Sequence, residues 1–207
     1  LDPRTLSRTV RTACYDNAFA LCIASVFAGF TARMPNVRLR AMQADEHLFD
    51  YLREDLLDLV FFARQGLHPD IHSAALLTTP YVCLVRRGHP LSERAAALGP
   101  LEREDLEAFP QVLINAQPDR IALVTPFFLA ASLCLEETDC YAIVPKATAE
   151  LALDPRRTAM LQLSDAAPKL TVRLGWHERT HADPGSQLIR AQLLALIQKR
   201  FGRPAGE

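Results

Sequence analysis

Leu57-Asp58-Leu59-Val60-Phe61-Phe62, closed by Ala63-Arg64-Gln65-Gly66, is a short apolar run that stops at a turn, and it reads as a buried strand. A second run, Leu76 to Arg86, is interrupted by Pro80 and ends at Arg86-Arg87-Gly88-His89-Pro90-Leu91. Proline cannot donate to a strand ladder, so Pro80 marks an edge, a bulge or a change of sheet. Two buried strands with a crossing between them therefore decide how the chain is divided.

Outward from this stretch, strands and helices alternate. Thr9 to Cys14 reads as a strand, and Asp16 or Asn17 is placed to cap the helix that follows. That helix carries Phe19, Ile23, Val26, Phe27 and Phe30 on one face and ends at Met34-Pro35-Asn36. Val37 to Met42 alternates as a strand, Asp45 caps a second helix with Leu48, Tyr51 and Leu52, and Leu57 to Phe62 returns as a strand buried on both faces. Strand, helix, strand, helix, strand is a doubly wound α/β order.

Beyond Pro80 the pattern predicts a loop from Gly88 to Pro100 and a short helix from Glu102 to Phe109. Strands follow at Gln111 to Ile114 and Ile121 to Val124, then a helix from Pro126 carrying Phe128, Leu129, Leu133 and Leu135. Tyr141 to Val144, Met160 to Leu163 and Leu170 to Trp176 are further strands, with a short helix after Pro145. The last element is an amphipathic helix, Pro184 to Arg200, with Leu188, Leu193, Leu194 and Ile197 inward. The strands ending at Ile114 and starting at Ile121 should be parallel, yet only six residues separate them. A parallel crossover needs about a dozen. We therefore expect residues to be missing near Asn115 to Asp119, the alternative being an antiparallel hairpin with Asn115 in its turn.

With 207 residues the chain can form one large domain or two lobes, and its 49% apolar and 23% charged residues are ordinary for a soluble globular protein. Lys plus Arg (23) nearly balances Asp plus Glu (24), without the basic excess of a domain that grips DNA by itself. The clusters Arg38/Arg40, Arg86/Arg87 and Arg156/Arg157 read as solvated faces. No apolar run is long enough for a membrane span, and the N-terminus lacks the apolar core of a signal peptide. Five cysteines (Cys14, Cys22, Cys83, Cys134, Cys140), an odd number with no CxxC, point to a reducing, cytoplasmic setting and to buried, inert thiols.

The order "DL-V-F", a loop, then "L-----V-LVRRGHPL" resembles the effector-binding half of the LysR-type transcriptional regulators. Phe27 through Leu39 resembles that family's "F---P-V-L" segment, Thr138 to Pro145 its "TD-IA-LP" segment, and Leu174 to Gly185 its "--WH-R---D-G" return. The wording Val124 to Asp139 is similar to the branch of nodulation regulators and regulators of aromatic-compound degradation.

The resemblance implies a two-lobed, periplasmic-binding-protein-like α/β fold, each lobe a doubly wound sheet, joined by two crossing strands. One lobe comprises residues 1–79 plus 178–207 and the other 80–177. It also implies a small-molecule effector and a homodimer or homotetramer, through the first helix (Ala18 to Thr31) and the helix Pro126 to Glu137 of a partner. DNA is reached only through a winged helix-turn-helix that these residues do not include. No cofactor, metal or membrane is implied.

In open α/β sheets ligands bind beyond the carboxyl ends of the strands. Tyr15, Asp16 and Asn17 follow the first strand, Phe62 and Arg64 the third, Asn115 the strand after Pro110, and Thr125 and Phe127 open a helix. Arg64 suits a carboxylate, Asn115 and Thr125 suit hydrogen bonding, and Phe127 suits stacking on a ring. Each also has a plainer reading: Asp16, Asn17 and Thr125 as helix caps, Arg64 as a surface turn, Phe127 as core. His89 and His177 read as structural. There is no GxSxG, P-loop or GxGxxG, Ser92, Ser164 and Ser186 fall in polar loops, and no catalytic constellation emerges, so an enzyme is not expected. A free-standing solute-binding protein is the alternative, which the unpaired cysteines disfavour.

Overall fold

Pro80 does not break its strand. In the computed structural model, which describes residues 1–63, 66–113, 121–164 and 168–204, one strand runs unbroken from Ile71 to Arg86 with Pro80 exposed. The chain divides along it into two compact units, Leu1–Thr78 with Thr171–Glu207 and Thr79–Leu170.

The first unit opens with β1 (Arg8–Cys14), α1 (Asp16–Cys22) and α2 (Phe27–Arg33), then β2 (Val37–Gln43), α3 (Leu48–Arg53), β3 (Leu59–Phe62) and β4 (Ile71–Arg86). From Thr79 the chain is in the second unit, with α4 (Pro90–Leu98), α5 (Arg103–Leu106), β5 (Gln111–Leu113), β6 (Ile121–Val124), α6 (Phe128–Ala131), β7 (Ala142–Pro145), α7 (Lys146–Ala152) and β8 (Thr158–Gln162). It returns through β9 (Lys169–His177) and closes with α8 (Pro184–Phe201).

In the first unit β1 pairs in parallel with β2 (Arg8 opposite Val37) and with β3 (Ala13 opposite Val60), while β3 pairs antiparallel with β9 (Val60 opposite Gly175). All four residues of β3 are buried, as expected of a strand covered on both faces. Val60 and Phe62 join Leu48, Leu52, Leu57 and Ala13 in one apolar cluster. In the second unit the far half of β4 pairs antiparallel with β7 (Val82 opposite Val144) and β8 (Leu84 opposite Met160). Val82 and Leu84 enter one core cluster and Cys83 and Val85 another, the period-two alternation of a strand covered on both sides. This is the α/β fold expected.

β5 and β6 pair in parallel (Val112 opposite Leu123), as the winding requires. The residues expected to be missing near Asn115 to Asp119 lie outside the described residues.

Several elements differ from expectation. The first helix is broken: α1 stops at Cys22, a 3-10 turn covers Ala24–Val26, and α2 starts afresh at Phe27. The Ser25 hydroxyl bonds back to the Leu21 carbonyl at 2.6 Å, a contact that bends helices. The phase slips in consequence, and Phe19 and Phe27 end up exposed while Ile23, Val26 and Phe30 stay buried. Asp45 accepts from the His47 N–H, ahead of α3, instead of capping the helix directly.

The loop expected from Gly88 to Pro100 contains α4, opened by Pro90 at its first turn and closed at Gly99, whose φ of 87° only glycine adopts readily. Ser92 and Ser186 accordingly sit in helices, not loops. α6 begins after Phe127, not at Pro126, and after one turn becomes a 3-10 segment, leaving Leu133 exposed. α8 buries Ile189, Leu193 and Ile197 against the first unit's helices, while Leu188 and Leu194 are only half-buried.

Candidate ligand-binding site

β1 and β3 are parallel neighbours, so their carboxyl ends emerge side by side and deliver Tyr15 and Phe62 to one place. Phe62 is buried in the cluster below, its ring edge-on to Phe49 with centroids 5.1 Å apart, and Tyr15 packs half-buried on the same cluster. The ring fits there because β9 carries Gly175 opposite Val60, two residues along β3: a Cβ at that glycine would stand 2.7 Å from Phe62 Cε1.

Tyr15 is the N-cap residue of α1, in extended geometry and without a side-chain cap bond. Asp16, the first helical residue, accepts the Asn17 N–H at 2.8 Å, so its carboxylate serves a first-turn donor from inside the helix. Asn17 is buried. Burial pushes the adjacent Cys14 thiol up to about 12, with the Asp16 charge adding to it. Arg64 lies outside the described residues.

In the second unit β6 ends at Val124, and Thr125 follows with its hydroxyl accepting the Phe127 N–H at 3.2 Å. Phe127 is half exposed, with its ring free of the core cluster that takes Ala131 and Leu135. Asn115 lies outside the described residues.

His89 and His177, two of the six histidines, are both structural. His89 is fully buried, its Nδ1 accepting the Leu91 N–H at 3.1 Å and its Nε2 donating to the Asp139 carbonyl at 3.1 Å. An acceptor at Nδ1 and a donor at Nε2 define a neutral imidazole that caps α4. His177 caps the next 3-10 turn through Nδ1. The basic clusters in the second unit are likewise balanced: Arg86 pairs with Asp139, Arg156 with Asp154 and Arg157 with Glu136.

Long-range partners were invisible to sequence reasoning. Thr79, buried where the chain enters the second unit, accepts the Ala147 N–H at 3.0 Å and so caps α7 across 68 residues. Arg8 at the start of β1 reaches Asp183 and Ser186 at the start of α8. That bond, reinforced by the Ser186 N–H, holds the Asp183 carboxyl far below the usual carboxylate range. No group of His, Cys, Asp or Glu among the described residues is placed to hold a metal, and no helix there is long and apolar enough to cross a membrane.

Residues 3–198 match the model of the LysR substrate binding domain. The chain is 23% identical to the HTH-type transcriptional activator NagR of a Ralstonia species, over 96% of this chain and 70% of that protein. It is 24% identical to the HTH-type transcriptional activator NahR of Pseudomonas putida, over 95% and 69%. Among solved structures, a putative transcriptional regulator from Vibrio parahaemolyticus superposes with a TM-score of 0.80 at 18% identity, covering 97% of this chain and all of that one. The regulatory domain of MexT, a transcriptional activator in Pseudomonas aeruginosa, gives 0.75 at 18%, covering 91% and 99%. The chain belongs to the LysR substrate binding domain family, and it is a regulatory binding domain of the LysR type and not an enzyme.

Proposed function

We propose that this domain senses an aromatic or other small organic acid in a cleft between two lobes. The observation that carries the reading is the gathering of Tyr15, Asp16 and Phe62 at the carboxyl ends of the parallel neighbours β1 and β3. That is where open α/β sheets receive ligands. Thr125 and Phe127, after β6, supply a hydroxyl and a half-exposed ring for the other side. Arg64 and Asn115 complete the set in our reading, Arg64 meeting the ligand carboxylate. The family match and the similarity to HTH-type activators support a regulator whose DNA contacts come from a separate winged helix-turn-helix, working in the cytoplasm.

Effector binding acts on that module only through its differential affinity for two states of the domain. Assembly as a homodimer or homotetramer is part of the proposal. It is supported by the exposed Phe19 and Phe27 on the first helices and Leu133 after α6.

A thermal-shift screen of aromatic and aliphatic acids tests the reading, because a ligand of the native state raises its melting temperature. A confirmed acid should lose about 1.5–3 kcal/mol of affinity on Arg64→Ala. Unchanged affinity removes Arg64 from the site, and a panel without a single stabilising acid refutes the ligand class.

A further inference from the structure

We infer that the first unit carries a second binding site, for a small monocarboxylate with an apolar body, at the opposite end of β1 from Tyr15. A cavity of about 370 Å³ opens there beside Arg8 to Arg11, between the start of β1 and the first turns of α8. That volume is at the lower end of the range of ligand pockets. At about 3.3 Å per residue, Arg8 at the cavity rim is roughly 23 Å along β1 from Tyr15, and Leu59 on its floor roughly 10 Å along β3 from Phe62.

The lining has two chemistries. Val10, Leu59 and Ile189 form an apolar floor, and each is at most 3% exposed. Around them stand three guanidinium groups, Arg8, Arg11 and Arg40, against one carboxylate, Asp58. Arg11 is fully engaged: its Nε and Nη2 bond Asp58 at 3.0 and 2.8 Å, and the group also reaches the Asp55 carbonyl and carboxylate. Burial works to raise the Asp58 carboxyl, but these bonds and the Arg11 N–H overcome it and hold Asp58 ionised and occupied. Arg8 uses Nη1 for Asp183 and Ser186, and no bond among the described residues takes its Nε or Nη2. Its guanidinium lies flat over Gly185, where a Cβ would come to 3.2 Å of Cζ.

Arg40 has neither ion pair nor hydrogen bond among the described residues, and β-pairing sets it directly opposite Arg11. Like charges directly opposite across a ladder destabilise it. One uncompensated cation on the wall, spare donors on Arg8 and an apolar floor match a ligand with a single negative charge and a hydrocarbon portion. A phosphate, with more charge and no apolar part, fits neither feature.

The test is a titration of the isotope-labelled 207-residue chain with cyclohexanecarboxylate, followed by backbone amide NMR. Neutral cyclohexanecarboxamide and inorganic phosphate run alongside. Saturable shifts at the amides of Thr9, Val10 and Leu59 are expected with the acid. Affinity should fall about tenfold for the carboxamide and in Arg40→Gln, the equivalent of one charge-assisted bond, and should be largely kept in Arg40→Lys. Arg40 is exposed, so neither variant removes core contacts. No saturable shift at these amides, shifts confined to Tyr15–Asn17, equal affinity in Arg40→Gln, or tighter binding of phosphate would each overturn the inference. Shifts confined to Tyr15–Asn17 would place the acid at the effector site alone, so the amides that move tell failure of this inference from failure of the effector reading.

Discussion

Gly175→Ala sets two opposed effects against each other at the seam of β3 and β9. In an ordinary strand interior, replacing glycine by alanine is favourable by about 0.5–1 kcal/mol, because the unfolded chain has less freedom to lose. The backbone at Gly175 is not left-handed, so alanine is conformationally allowed. The contact is what forbids it. The new methyl would stand 2.7 Å from Phe62 Cε1 and 3.0 Å from Val60 Cγ2, about 1 Å inside the optimal carbon–carbon separation. Neither neighbour can yield, for Val60 and Phe62 are buried and Phe62 is held edge-on by Phe49. Overpacking of this kind costs about 1–3 kcal/mol, so the clash wins and the net loss should be about 1–2 kcal/mol. For a chain of this length that lowers the melting temperature by about 2–8 °C.

Thermal and urea unfolding followed by circular dichroism would measure it. The only tryptophan, Trp176, adjoins the substitution and offers a second probe by fluorescence. Phe62→Leu removes the offending ring atom, and in the double variant the two losses should fall short of additive by about 1 kcal/mol. A Gly175→Ala variant as stable as the parent, or strictly additive losses, would refute the packing described for Phe62.

Three further outcomes follow from polar and ionisable groups. His89→Ala should lose about 2–4 kcal/mol in urea unfolding, since it removes a helix cap and orphans the Asp139 carbonyl, while His89→Asn should recover about 1 kcal/mol by restoring the cap; equal losses would contradict that role. Near pH 8 one thiol, Cys134, should react rapidly with a disulfide reagent and all five only after unfolding. Burial raises the Cys14 and Cys83 thiols to about 12, so they stay protonated in the fold while the unfolded chain ionises them above about pH 8.5. Stability should therefore be intact below about pH 8.5 and fall above it, by about 1.4 kcal/mol per pH unit for each such thiol. A flat profile to pH 10 would show these thiols to be accessible.

The strands were legible because burial on both faces writes itself as uninterrupted apolar residues: Leu59 to Phe62 and Val82 to Val85 needed no context. Helices were legible only where their phase is continuous. Ser25, bonded back to Leu21, shifts the phase between α1 and α2, and a single face drawn through Phe19 and Phe27 then buries the wrong side. α4 shows the opposite error. Gly88, Pro90 and Gly99 read as loop punctuation, yet proline in a first turn and glycine just past the last are what bound a helix.

For the site, the rule about carboxyl ends of strands needs only strand order, so Tyr15 and Phe62 could be placed together from the sequence. What side chains do there depends on partners far along the chain. Phe62 is at once a strand-end residue and core, and only Gly175 on β9 decides how deep its ring sits. The basic residues show the same limit more sharply. In the sequence Arg8 is only one basic residue beside Arg4 and Arg11, and Arg40 reads as part of a solvated Arg38/Arg40 face. Their difference appears only when Asp183, 175 residues from Arg8, and Asp58, 47 residues from Arg11, take up two of three neighbouring cations and leave Arg40 without a partner among the described residues. Charge balance over the whole chain is near zero, yet it is the local remainder after pairing that can hold an anion, and that remainder is set by tertiary pairing alone.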